Sequence, residues 1–252
     1  MVANAKGETE KYLFYRGVGH ISAPLKVVRT GSKLCVVPQI DTASLMVDGT
    51  PLANEAKKIH TLWLAHFRPD GACAFKQIKT GGFGNSNSAD CVETTDSFSP
   101  GDYAAENVSA LRSAMHGELM ADGLYADEAD ALLSTWNVAY FKSAGLRLFF
   151  LVPRGWTDHY LPLKVSVPAD IVRTMVGRIE LISPEQRAGL DELSAATNLG
   201  DDAILTLYKS IQKLGRFTTP LLWERLRAQP TPGIKVAKER FSMPAYKLED
   251  VK

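Results

Sequence analysis

ENVSALRSAMHGELMADGLYADEADALLSTWNVAYFKSAGLRLFFLVPRGWTDHYLPLKVSV, residues 106–167, is the stretch on which the fold turns. Val108, Leu111, Met115 and Leu119 recur at steps of three and four, so they share one face of a helix over 106–121. Gly123 then ends that helix as a C′ residue, where a left-handed backbone suits glycine. A second stripe, Ala129, Leu132, Leu133, Trp136, Tyr140 and Phe141, predicts a helix over 127–144 closed by Gly145. The short link makes the two an antiparallel hairpin. Residues 146–152 are apolar except for Arg147, which predicts a strand covered on both faces. Residues 160–167 alternate Leu161, Leu163, Val165 and Val167 with polar positions and predict a strand with one wet face, Pro162 arguing for an edge or a bulge. The aromatic end of the hairpin must rest on apolar surface, and the sheet is the nearest candidate.

Upstream the chain reads as strands. Residues 12–15 are a compact aromatic run ending at Gly17-Val18-Gly19. Residues 25–30 and 33–37 flank Gly31-Ser32 as a tight hairpin, and 61–67 and 72–78 flank Arg68-Pro69-Asp70-Gly71 as a second. Residues 79–102 are rich in Gly, Ser, Asn, Thr and Asp and read as a long connector with at most one short strand near Val92. Gly81-Gly82-Phe83-Gly84-Asn85 lacks the following helix that a phosphate-cradling loop needs.

Downstream, the β-branched residues of 171–182 favour a strand with Gly177 at a bulge. Ser183-Pro184-Glu185-Gln186 opens a helix with a capping box, Asp201 or Asp202 caps another ending at Gly215, and Thr219-Pro220 opens a third through Leu226. The expected architecture is α+β: an antiparallel β-sandwich over 11–182 with an inserted antiparallel helical hairpin at 106–144, a small C-terminal helical bundle over 183–228, and an extended tail over 229–252.

Composition narrows the function classes. At 252 residues, 45 % hydrophobic and 23 % charged, the chain has ordinary globular proportions. Its 29 Lys and Arg against 28 Asp and Glu give a net charge of +1, so no overall field draws nucleic acid or an anionic membrane. No stretch reaches the roughly 18 apolar residues of a membrane span, and residues 1–10 show no signal-peptide core. Cys35, Cys73 and Cys91 cannot all pair within one chain. Buried free thiols are the favoured reading, with one disulfide and a leftover thiol as the alternative.

Several motifs are familiar together: Phe14-Tyr15-Arg16-Gly17-Val18-Gly19, Gly123-Leu124-Tyr125, Glu128-Ala129, Thr135-Trp136, Gly145-Leu146-Arg147, Val152-Pro153-Arg154, Trp156-Thr157-Asp158 and Val176-Gly177-Arg178. Over roughly residues 11–225 the chain resembles a set of bacterial proteins with no assigned activity, whose members look exported or envelope-associated. The resemblance implies a periplasmic or other extracytoplasmic setting, with peripheral association to a membrane complex. It supplies no catalytic residues.

No catalytic signature stands out in the residues themselves. His20, His60, His66, His116 and His159 show no ligand spacing, so no metal or cofactor is called for. There is no G-x-S-x-G elbow, and the acidic runs at Asp127-Glu128-Asp130 and Asp201-Asp202 are explained by helix capping and the helix dipole. The most site-like segment is 153–159, read as a loop joining two strands and presenting Arg154, Trp156, Asp158 and His159 as candidate binding residues. The favoured reading of the segment is structural, an Arg154 to Asp158 ion pair with Trp156 plugging the sheet end. The favoured function is a non-enzymatic protein-interaction or accessory subunit of an envelope assembly, engaging a protein partner through the 79–102 loop and the 229–252 tail. The alternatives are a hydrolase-type enzyme or a small-ligand or metal carrier with its site near 153–159.

Overall fold

Leu62 and Leu64 point to one side of a strand and Trp63, Ala65 and Phe67 to the other, and both sides are buried. A computed structural model of the chain describes residues 2–3, 6–7, 9–10, 23–39, 46–47, 50–51, 55–83, 91–166, 168–195, 202, 231–232 and 235. It divides into two compact units, Met1–Leu181 and Ile182–Lys252. The expected strand at 12–15, the two later helices of the bundle (apart from residue 202) and all but three residues of the tail lie outside the described residues.

The first unit is α+β, with two main antiparallel sheets. β1 (Val2–Ala3) pairs with β2 (Thr9–Glu10) as a small separate ribbon. The expected hairpins both form: β3 (Leu25–Thr30) with β4 (Lys33–Pro38), turning at Gly31 with φ +61°, and, after the short pair β5 (Met46–Val47) and β6 (Thr50–Pro51), β7 (Thr61–Phe67) with β8 (Cys73–Lys79), turning at Gly71 with φ +89°. At both turns the left-handed backbone favours glycine.

β9 (Val92–Thr95), the one short strand that the reading of 79–102 allowed near Val92, pairs with the free edge of β4. Pairing with a distant strand, the Arg29–Asp96 ion pair and a Cys35–Cys91 disulfide hold residues 91–96 in place. The expectation of three free thiols is thereby corrected: only Cys73 is free, and burial pushes its thiol up to about 12 against a lesser opposing effect of Arg147. Unreduced native protein should therefore show no alkylation by iodoacetamide and one thiol after denaturation. Replacing Cys35 and Cys91 by serine should lower unfolding stability by about 2–4 kcal/mol in urea titrations. Three alkylatable thiols in the unreduced denatured chain would contradict the pairing.

The helices come next. α1 (Glu106–Ala121) buries Leu111, Met115 and Leu119 as the periodicity requires. It closes with the amide of Gly123 donating to the Met120 carbonyl and that of Leu124 to the Leu119 carbonyl, Gly123 taking φ +111°. The second helix departs from the expected 127–144. α2 spans Ala126–Thr135, the backbone changes course at Trp136, and Val138–Lys142 winds as a π-helical turn. The wider turn lets Tyr140 and Phe141 both meet Phe149, at ring separations of 5.3 and 6.5 Å.

β10 (Gly145–Val152) then pairs with β7, and β11 (Met175–Leu181) pairs with β10, giving the sheet order β11-β10-β7-β8. Leu62, Leu64, Leu146, Leu148 and Phe150 share a core with Leu25, Leu34 and Val36 of the three-stranded sheet. Trp63, Ala65, Phe67 and Phe149 share a second core with α1, α2 and the π turn. Each buried Leu or Phe contributes about 1.5–3 kcal/mol, so the doubly covered β7 and β10 anchor the unit.

Two strand expectations are corrected. Residues 160–166, the described part of the expected 160–167 strand, form none: a helix, α3 (Arg154–Tyr160), ends where the strand was to begin, and Leu163 and Val165 are exposed. Their alternation finds no strand partner, and Pro162 has no N–H to offer one. Gly177 is not at a bulge, because the β10–β11 register runs unbroken and sets Gly177 opposite Phe150. A Cβ at 177 would run into the Phe150 ring. Gly177→Ala should therefore cost about 1–3 kcal/mol by overpacking. Adding Phe150→Leu should cost less than the sum of the two single changes, which a double-mutant cycle measures.

In the second unit, α4 (Pro184–Ala195) starts as expected: the Ser183 amide donates to Gln186 Oε1 at 2.8 Å and the Gln186 amide to Ser183 Oγ at 3.2 Å. No helix among the described residues is long and apolar enough to cross a membrane.

Candidate functional site

The 153–159 segment is helical, so its four candidate residues radiate around an axis instead of converging in a loop. Pro153 is the N-cap of α3, with its carbonyl accepting from the Thr157 amide. Arg154 and Asp158, one turn apart, pair at 3.2 Å, and Arg173 donates to the second Asp158 oxygen at 2.8 Å. Trp156 points the other way, is 1 % exposed and joins the core shared by the two sheets, against Tyr160. His159 packs edge-on to Tyr160 at 4.9 Å. Of the four, Arg154 and Asp158 line a cavity that Trp156 and His159 do not. Because the Arg154–Asp158 pair is largely exposed, Arg154→Ala should change stability by less than about 1 kcal/mol in thermal melts.

That cavity is an open cleft of about 640 Å³. It lies where the end of β10 and the start of α3 meet the C-terminal turn of α1 and residues 55–63. The local sequence explains each wall. Gly155 lets the chain pass the buried Glu55 carboxyl, which would lie 2.5 Å from a Cβ at that position. Glu55 pairs in turn with Lys58. Glu118 and Asp122, four residues apart, fall on the same side of the last turn of α1.

The electrostatics of these two carboxylates differ. Burial would raise Glu118, but hydrogen bonds from Lys79 at 2.8 Å and Thr61 at 2.9 Å, with the Lys79 charge, hold it below the usual carboxylate range. Burial raises Asp122, and the Thr174 hydroxyl at 2.7 Å and the Arg154 charge offset it only in part. Trp63 also lines the cleft, fully buried, and its indole N–H has no acceptor among the described residues. No family model, curated protein or solved structure matches the chain.

What the cleft can do follows from its donor set. Among the described residues no group of three His, Cys, Asp or Glu is placed to hold a metal ion. The lining offers Thr61 as its hydroxyl, and that oxygen is already bonded to Glu118 and Lys79. His116 bridges the two helices by donating to the Ala126 carbonyl at 3.0 Å.

Sequence reading missed Glu55, Lys58, Trp63, Glu118 and Asp122 as cleft residues. Glu118 and Asp122 carried a usable signal, since i,i+4 spacing next to Gly123 puts both at an exposed helix end. Nothing local marked Glu55 or Trp63.

Proposed function

We propose that this chain is a non-enzymatic protein-interaction module, an accessory subunit of a bacterial envelope assembly, whose recognition surface is the cleft beside α3. The supporting observation is a formed concavity in which three of the four lining carboxylates are engaged by cations: Glu55 by Lys58, Glu118 by Lys79, and Asp158 by Arg154 and Arg173. Such pairing builds a shaped, nearly neutral wall suited to recognition. It argues against a hydrolase at 153–159, because Asp158 is committed to two guanidinium groups and His159 is not in the cleft lining. The Cys35–Cys91 disulfide favours an oxidising compartment, in keeping with the exported character implied by the resemblance. In this reading the two antiparallel sheets form a β-sandwich, and the helical hairpin is an insertion over its outer face. The tail at 229–252 would add contacts to the same partner.

The test is photo-crosslinking in the source bacterium. A photoreactive residue at Arg154, on the cleft rim, should yield one dominant protein adduct, and the same residue at Lys33 on β4 should not. Adducts that are equal from both positions, or missing from Arg154, would overturn the reading.

A further inference from the structure

The stretch after α3 carries a strand pattern that the fold leaves unused. Leu163 and Val165 are exposed, and among the described residues 162–166 give and accept no hydrogen bond. Exposed backbone with alternating apolar side chains is the form in which a chain adds to the edge of a sheet. Pro162 and Pro168, which lack an N–H, bracket the segment and limit the ladder to the residues between them. The same chain carries an open edge. β11 ends the sheet order β11-β10-β7-β8, and among the described residues it has no neighbour on its outer side. All seven of its residues are half-buried.

The two cannot pair within one chain. Arg173 donates to the Leu161 carbonyl at 2.6 Å and to Asp158 at 2.8 Å, so residue 161 is clamped beside 173, near the start of β11. A hairpin would run the segment antiparallel to β11, with Leu163 beside Leu181, about 20 Å beyond Met175 along the strand. Two residues past Leu161 span about 7 Å at most, so Leu163 falls short. A parallel run would need a longer crossover than 168–174 provides. We propose that residues 163–166 of one copy add to the β11 edge of a second copy, and that the exchange is mutual. One donor and one acceptor per chain let a two-fold pair satisfy both at once and close. With Leu163 opposite Leu181 and Val165 opposite Ile179, the apolar residues continue the core face on which Ile179 and Leu181 already pack. Lys164 then stays on the face of Arg178 and Glu180, and a slip of one residue would turn it inward.

Sedimentation velocity of the full chain over a concentration series should show a species of twice 27.6 kDa. Val165→Pro removes an N–H and an apolar side chain from the added strand. Because residue 165 makes no hydrogen bond within the single chain, this variant should keep the wild-type melting temperature at dilution and stay monomeric. A double variant, Val165→Cys with Ile179→Cys, should on air oxidation give a covalent dimer whose peptide map holds a 165–179 disulfide, while the buried Cys73 stays reduced. If Val165→Pro unfolds the chain, the cysteine pair decides alone. A wild type that is monomeric at every concentration, a dimeric Val165→Pro, a covalent dimer without the 165–179 bond, or that bond closed within one chain would each overturn the proposal.

Discussion

Arg147→Ala is expected to destabilise the first unit by about 3–5 kcal/mol, a large share of the roughly 5–15 kcal/mol that holds a domain folded. Arg147 is 2 % exposed, near the start of the doubly covered β10. Its guanidinium donates to the carbonyls of Ala139 at 3.2 Å, Tyr140 at 3.0 Å and Ala144 at 3.1 Å, and its Nε to Glu180 at 3.4 Å. Those carbonyls belong to the π turn and its exit, where helix ends leave acceptors unsatisfied. One side chain thus ties the end of the helical insertion to the sheet and, through Glu180, to β11. Burial pulls the guanidinium's pKa down while Glu180 counters it, so the charge is held at a cost that the hydrogen bonds repay. Arg147→Lys should not rescue, because an ammonium cannot reach three carbonyls and a carboxylate from one fork. Urea unfolding with chevron or equilibrium analysis measures both, and a loss under about 1 kcal/mol for the alanine variant would show that the insertion is held by its apolar face alone.

The second large effect is Trp156→Ala, expected to cost about 3–5 kcal/mol. For a unit of this size that lowers the melting temperature by about 10 °C. The indole fills the core between the two sheets, beside Tyr160 at 5.5 Å, so its removal opens a cavity that Leu and Phe neighbours cannot close. Had Trp156 been a surface binding residue, its loss would weaken a partner and leave the melt unchanged. Calorimetry on Trp156→Ala and Trp156→Phe separates the two roles: a graded fall in melting temperature indicates packing, and an unchanged one indicates exposure.

Much of this was legible locally. The 3.6 period of Val108, Leu111, Met115 and Leu119 gave α1, Gly71 and Pro69 gave the β7–β8 turn, and the unbroken apolar run after Gly145 gave a strand buried on both faces. What escaped depended on distant partners. The short strand allowed near Val92 could be given no partner from sequence, because β9 takes its edge from β4 and its own four residues carry little apolar pattern. The alternation of 161–167 signalled a strand, yet β11 occupies the place beside β10. Arg147 stood out as the exception in an apolar run, but its acceptors come from 139–144 and Glu180. Arg154 and Asp158 already had the i,i+4 spacing of a helical pair, a signal masked by reading strands on both sides. The cleft draws on three separate stretches between Glu55 and Asp158, so no single window of sequence contained it.

The most direct test of the cleft as the recognition surface is hydrogen exchange of the chain alone and with the partner captured through Arg154. New protection should fall on residues 55–61, 118–122 and 151–158. Protection confined to β3, β4 and β9, with those three segments unchanged, would contradict it.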